Sequence, residues 1–210
     1  MILSVGGIKG GSGKTTIAIN IAVSRALKKR KVLLVDADDQ QSSIMWSQKR
    51  EELGVSANIT TIHLTGSSVL SQVKKITKDY DDVIIDVGGR NNASLRAALL
   101  VSDTFLTPFR PRSLDIWTLE ELNEVLSEAI AINENLKIFS VLNQADFRGK
   151  DNTEALSVFK DYPFIHPLRT VISQRKAFPN SINDGLGILE YTPLDEKAKE
   201  ELKKLISKIY

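Results

Sequence analysis

No cysteine occurs in the 210 residues of this chain. That absence excludes disulfides, cysteine-ligated zinc and iron–sulfur clusters as sources of stability or chemistry. No apolar run reaches the roughly 20 residues needed to cross a bilayer. Met1 leads directly into the strand-like run Ile2-Leu3-Ser4-Val5, without the charged and apolar regions of a secretory signal. The expected compartment is therefore the cytosol. Charge of either sign is scarce in the balance: 28 Lys+Arg against 26 Asp+Glu leave a formal +2. Any nucleic-acid surface must then be a local patch. There is no internal repeat and no low-complexity linker. What the chain has is apolar residues, 42% of the total. At this length they can bury one full core, so a single domain over residues 1–210 is expected.

The apolar residues form an alternating series. Strand-like runs cover 2–5, 31–36, 59–64, 82–86, 104–107, 137–142 and 168–172. Helix-like stretches cover 17–23, 42–53, 67–78, 92–101, 114–132, 153–161 and 195–210. Alternation of this kind predicts an α/β fold, a mostly parallel sheet flanked by helices on both faces. Ligands of such sheets sit beyond the carboxyl ends of the strands. Gly10, Asp36, Asp86 and Asn143 all fall at or just after such ends.

The first strand runs into Lys9-Gly10-Gly11-Ser12-Gly13-Lys14-Thr15-Thr16, and a helix-like run follows. Strand, glycine loop and helix form the context of a phosphate-binding P-loop. Glycines let successive backbone N–H groups turn inward, and the helix start adds its positive dipole end. Lys14 is placed to reach the β- and γ-phosphates of a nucleotide, and the Thr15 hydroxyl to ligate Mg²⁺. Two positions depart from the usual pattern: Ile8 replaces the first glycine, and Lys9 adds a second lysine. A glycine-rich turn that binds nothing would have to match seven positions by chance. Asp36-Ala37-Asp38-Asp39-Gln40 follows the second strand; a carboxylate there can order a magnesium shell and an attacking water, or simply belong to an acidic turn. Asp86-Val87-Gly88-Gly89 has the form of a Walker B strand end, with two glycines that permit a moving switch loop, or of a plain strand-ending turn. Asn143 carries both a donor and an acceptor, which suits a purine edge; a capping role is the alternative.

With Lys9, the loop has the deviant Walker A form, and the sequence resembles the ParA/MinD family of dimerising ATPases. Further stretches support the resemblance, and Trp46-Ser47 is similar to the small plasmid-partition members of the ParF type. Pro108 to Asp115 fits the family's P-x-x-P-S/R-x-L-D stretch, and Asp146-Phe147-Arg148 resembles its D-x-R. The resemblance implies that Lys9 reaches across a dimer interface to the partner's nucleotide. It implies ATP and Mg²⁺ as ligands, with Lys9, Lys14 and Asp38 catalytic, Thr15, Asp38 and Asp86 at the metal, and Asn143 against adenine. Residues Lys9, Gly10, Gly11, Ser12, Gly13, Lys14, Thr15 and Thr16 form the nucleotide loop. Asp38 corresponds to the second Asp of the family's D-x-D-P-Q; Asp39 stands where proline is usual and Gln41 where glycine is common. Residues 169–176 resemble a segment bordering the nucleotide and a DNA-facing surface. Arg169, Arg175 and Lys176 are the DNA-binding candidates there, or else ordinary solvated or nucleotide-side charges. The missing cysteines separate the chain from nitrogenase iron proteins and iron–sulfur carriers, which share the deviant loop.

The function implied is that of a partition ATPase, cytoplasmic and nucleoid-associated. It forms a homodimer with ATP, binds DNA without sequence preference, and segregates plasmid or chromosomal DNA. A ParB-like centromere-binding partner would stimulate an otherwise weak hydrolysis. Because the sequence begins at the first strand with no helix-turn-helix before it, the short class that does not regulate its own operon is expected. A MinD-like membrane-positioning ATPase is the main alternative. The last helix carries Ala198, Leu202, Leu205, Ile206 and Ile209 on one face, with Lys199, Lys203, Lys204 and Lys208 off it. Docking of that face on the sheet is the favoured reading, so no stable membrane association is expected. Non-DNA cargo, such as a carboxysome or a chemotaxis cluster, and a ligase of the dethiobiotin synthetase kind are further alternatives. A bacterial tyrosine kinase fits poorly, since Tyr210 stands alone at the end of the sequence.

Overall fold

Seven short apolar runs form the strands: β1 (Ile2–Val5), β2 (Val32–Ala37), β3 (Ile59–His63), β4 (Asp82–Val87), β5 (Thr104–Phe109), β6 (Lys137–Ala145) and β7 (His166–Ser173). In this computed structural model, which describes residues 1–55, 58–111, 116–146 and 151–210, all of them pair in parallel in the order β3-β2-β4-β1-β5-β6-β7. β2, β4 and β5 are buried along their whole length, which is why they read as continuous apolar runs. Successive side chains still point to opposite faces. Leu33, Val35, Ala37, Val83, Ile85 and Val87 enter one core layer. Val32, Leu34 and Ile84 enter the other.

The first layer is closed by α3 (Ser67–Ile76), α4 (Ala93–Val101), α5 (Ile116–Ile130) and α6 (Asp151–Val158), through residues such as Val69, Leu95, Leu122 and Ala155. The second is closed by α1 (Lys14–Leu27), α2 (Ser42–Glu52), α7 (Ala177–Asn183) and α8 (Glu196–Ile209), through Ile21, Trp46, Phe178 and Leu205. The fold is thus the expected α/β sandwich. Single-turn 3₁₀ segments, Thr77–Asp79 and Phe159–Asp161, end two of the expected helical stretches. α7 has no counterpart in the pattern reading. Its Pro179 sits in the first turn, where a missing N–H costs nothing.

β1 lies at the centre of the sheet between β4 and β5. The register sets Val5 beside Asp86, and Asp86 beside Asp36. One parallel alignment therefore brings the glycine loop and both strand-end carboxylates to a single edge. At the end of the chain, Asp195 caps α8 by accepting from the Ala198 N–H at 3.0 Å. Ala198, Leu202, Leu205 and Ile206 are buried against the sheet. Burying a Leu or Ile side chain is worth about 1.5–3 kcal/mol, so releasing this stripe to a membrane would forfeit several such contributions. Among the described residues no helix is long and apolar enough to cross a membrane.

Candidate nucleotide-binding site

The glycine loop is built by backbone shapes that only glycine accommodates easily. Gly11 and Gly13 have φ of 75° and 86°. A Cβ on Gly13 would lie 2.2 Å from Asn143 Nδ2, so the end of β6 is pressed onto the loop. Asn143 Nδ2 donates to the Ser12 carbonyl at 2.7 Å, and Gln144 Nε2 to the Gly11 carbonyl at 3.3 Å. Gly13 is the N-cap of α1 and offers no side-chain oxygen, which leaves the first N–H groups of the helix to an external anion. Inside the loop, the buried Lys14 ammonium donates to the Lys9 carbonyl at 2.7 Å. Burial pulls its pKa down, opposed by the charges of Asp86 and Asp38.

The two carboxylates of the Asp36-x-Asp38 pair do different work. Asp36 is fully buried and accepts from the backbone N–H groups of Ser43 at 2.8 Å, Ile44 at 3.0 Å and Asp38 at 3.1 Å. The N-cap of α2, Gln41, sits in the left-handed region at φ 51° and provides no side-chain cap. Asp36 supplies the missing acceptor from the neighbouring strand end. Burial raises its pKa against these hydrogen bonds. Asp38 is half-buried and faces the phosphate cleft: a Cβ on Gly88 would meet its carboxylate at 3.0 Å.

Asp86 is buried, and its Oδ2 accepts from the Ser43 hydroxyl at 2.8 Å. Its pKa is pushed up to about 7 by burial and by the neighbouring Asp36 charge, with Ser43, Thr15 and Lys14 pulling the other way. Oδ1 of Asp86 has no hydrogen-bond partner. A buried carboxylate oxygen without a donor is a fit for the hydration shell of a cation. Among the described residues no group of three or more His, Asp or Glu could hold a metal alone. The residues fit Mg²⁺ arriving with a nucleotide: the Thr15 hydroxyl would hold it, and Asp38 and Asp86 would act on its hydration shell.

A cleft of about 440 Å³ opens over Gly13, Lys14, Thr15, Asp38, Gly89 and Arg90. A second of about 190 Å³ adjoins it, walled by Asn20, Asn143, Gln174, Arg175, Phe178 and Pro179. Thr16 and Gln144 line both. The first is polar and sized for phosphates; the second has the apolar and amide lining that suits a base. Asn143 lines this second cleft, with its amide nitrogen engaged on the Ser12 carbonyl.

Three features escaped sequence reading. Ser43 joins Asp36 to Asp86. The Arg110 guanidinium overlies Gly11, 3.6 Å from where a Cβ would stand. Gly89 packs on the loop itself, its added Cβ falling 2.9 Å from the Gly10 backbone and from Lys14 Nζ. Arg110 carried a signal in its place in the Pro108–Asp115 stretch, and Gly89 in the Asp86–Gly89 strand end, though not as packing on the loop. Residues 112–115 of that stretch, and Phe147 and Arg148, lie outside the described residues.

The three DNA-binding candidates over 169–176 sit in different settings. Arg169 and Lys176 are exposed. Arg175 is bound to Glu201 of α8, Nη2 to Oε1 at 2.8 Å and Nε to Oε2 at 3.3 Å, with Asp195 at 3.8 Å. The same Glu201 accepts from the Ser173 N–H and hydroxyl. Arg175 therefore holds the end of β7 to α8 beside the base-sized cleft.

A central strand, a glycine loop closed on a buried lysine and two strand-end carboxylates at one sheet edge define a P-loop nucleotide-binding protein. The chain belongs to the family described as the CobQ/CobB/MinD/ParA nucleotide binding domain, whose model matches residues 3–188. It is a ParA/MinD-type protein of the positioning and partition group. It is 26% identical over 211 residues to the "Maintenance of carboxysome distribution protein A" of Halothiobacillus neapolitanus, covering 99% of this chain and 95% of that protein. Its fold is similar to apo McdA of Cyanothece, with a TM-score of 0.76 at 17% identity over 97% of this chain and 98% of that one. It is also similar to a plasmid partition protein of Borrelia burgdorferi bound to AMPPNP, with a TM-score of 0.72 at 21% identity over 99% of both chains.

Proposed function

We propose that this protein is an Mg²⁺-dependent ATPase that dimerises around ATP, binds DNA without sequence preference in that state, and moves a cargo through a ParB-like adaptor. The observation that carries the reading is the division of labour between two lysines. Lys14 lies buried inside the cradle, whereas Lys9 is exposed at its mouth. Lys14 supplies the ammonium inside the cradle, so the second lysine, Lys9, would serve a nucleotide held by a facing protomer, as an arginine finger does.

ATP binding would draw the Lys14 ammonium from the Lys9 carbonyl onto phosphate oxygens, joined by the loop amides and the α1 N-terminus. Gly88 and Gly89, pressed on Asp38 and the loop, would shift to admit the γ-phosphate. Mg²⁺, when bound, neutralises β- and γ-phosphate oxygens. Asp38 would orient the attacking water, Asp36 would keep the start of α2 in place, and Ser43 would tie that start to Asp86. Plasmid or chromosomal DNA is the first cargo reading. A carboxysome-like cargo is the second, favoured by the relative aligned over 99% of this chain.

Light scattering with Mg²⁺ and ATP or ADP, run beside mobility shifts on duplexes of unrelated sequence, tests the proposal. A dimer and DNA retardation are expected with ATP alone, with affinity falling steeply as salt rises. Arg169→Glu with Lys176→Glu should weaken retardation equally for every sequence, since phosphate contacts carry no base information. An ATP dimer that ignores DNA at low salt would overturn the DNA part and leave a membrane-positioning or metabolic role.

A further inference from the structure

The end of the sheet away from the nucleotide carries a groove that none of the chemistry above uses. α1 has 14 residues and so spans about 20 Å. Lys14 opens it at the phosphate cleft, and Arg25 to Lys28 close it at the opposite edge. There an open groove of about 540 Å³ is walled by Leu27, Lys28, Leu189, Lys203, Ile206 and Tyr210. Its volume is within the range of about 300–1,000 Å³ usual for binding pockets. Leu27 is 53% exposed and projects at the rim.

The charged side chains that line the groove are all basic. Among the described residues no Asp or Glu lines it. Arg25 also lines it, but its guanidinium is committed to Asp82 at 2.8 Å and stacks 3.9 Å from the centroid of the Tyr210 ring, which it holds as a wall. Arg30 is committed to Asp81 and Asp82, and Lys31 lies over the Tyr80 ring. Lys28 and Lys203, one on each wall, are exposed and have no ion pair among the described residues. An apolar floor thus lies between two uncommitted ammonium groups.

We infer that this groove binds an acidic peptide segment of a partner protein, an apolar anchor side chain entering between Leu189, Ile206 and Tyr210 while flanking carboxylates meet Lys28 and Lys203. Duplex DNA fits less well, because phosphates gain nothing from an apolar floor and the one arginine lining the groove, Arg25, is spent on Asp82. A membrane surface fits less well, because the apolar residues other than Leu27 line a concavity instead of projecting, and the apolar face of α8 is packed in the core. The inference does not rest on the ATPase reading, since the groove lies at the other end of α1.

The test is a two-dimensional ¹⁵N NMR titration of the whole chain with three probes. These are an acetylated hexapeptide with Leu-Phe between pairs of acidic residues, a short DNA duplex, and vesicles of phosphatidylserine and phosphatidylcholine. The peptide should shift the amides of Leu27, Lys28, Leu189 and Lys203. Lys28→Glu with Lys203→Glu, both surface changes, should weaken it by about tenfold or more while ATP affinity stays unchanged. No groove shifts at millimolar peptide would overturn the inference. So would equal binding by the double variant, or groove shifts produced by DNA or vesicles and not by peptide.

Discussion

At the scale of single residues, Asp36 and Asp38 show that the same side chain two positions apart can be built into a helix start or left facing a cleft. Asp36 satisfies three backbone N–H groups at the start of α2. Loss of a capping acceptor costs about 0.5–2 kcal/mol, and buried donors left unpaired add to it. Asp36→Ala should therefore lower the melting temperature by several degrees, a change visible by circular dichroism. Asp38→Ala should leave melting within a degree or so, bind ATP, and accumulate as a dimer that releases no phosphate. A variant at Asp36 that melts normally yet fails to turn over, beside an active Asp38→Ala, would reverse the assignment.

Asp86 gives a pH signature. Its carboxyl is held up to about 7 in the fold, against about 3.9 in an unfolded chain. The folded state therefore holds a proton that the unfolded state has lost over that interval. The stability this contributes is full below the unfolded pKa and disappears as pH rises through the folded one. The nucleotide-free protein should melt at lower temperature at pH 8 than at pH 5.5, and Asp86→Asn should flatten the difference. A pH-independent wild type would mean that Asp86 is ionised throughout.

Between elements, the contact that matters most for the site is that of β6 on the glycine loop. Asn143 bonds Ser12 from a strand two places from β1 in the sheet. A residue used only on the base would be silent without nucleotide. Asn143→Ala should instead lower nucleotide-free stability by about 1 kcal/mol, the usual worth of a buried hydrogen bond, and weaken ATP as well. Unfolding in urea with and without nucleotide separates the two effects. Gly89→Ala makes the complementary point, because its methyl would fall on the Gly10 backbone. The loop must then yield, and ATP affinity should drop about tenfold or more with little change in melting.

For the whole molecule, the proposed activity needs two copies. Lys9→Ala should bind ATP as a monomer, since Lys14 and the loop amides are intact, but dimerise and hydrolyse poorly. Lys14→Ala should lose ATP altogether, and titration with a fluorescent ATP analogue distinguishes the two. A fully dimeric, active Lys9→Ala protein would remove the trans role.

The parallel α/β fold, all seven strands and the loop from Lys9 to Thr16 were legible in the sequence, because each rests on local order. A buried β-branched run marks a strand wherever it pairs, and glycines that free the backbone act within a few residues. Strand ends drifted by a residue or more, as in β6, which runs through Asn143 to Ala145, since pairing partners set where a strand stops. The resemblance had singled out Asp38 of the Asp36-x-Asp38 pair, but only the tertiary structure gave the reason, because which carboxylate faces the cleft depends on β2 lying beside β4 and on α2 starting over Asp36. The tertiary structure also decided that Asn143 clamps the loop, that Arg175 serves Glu201, and that Lys28 and Lys203 share one groove. Each of these joins residues far apart in the chain. Such contacts are fixed by strand order and by which face each helix covers, and a one-dimensional pattern of apolar and polar residues does not encode which distant side chains will meet.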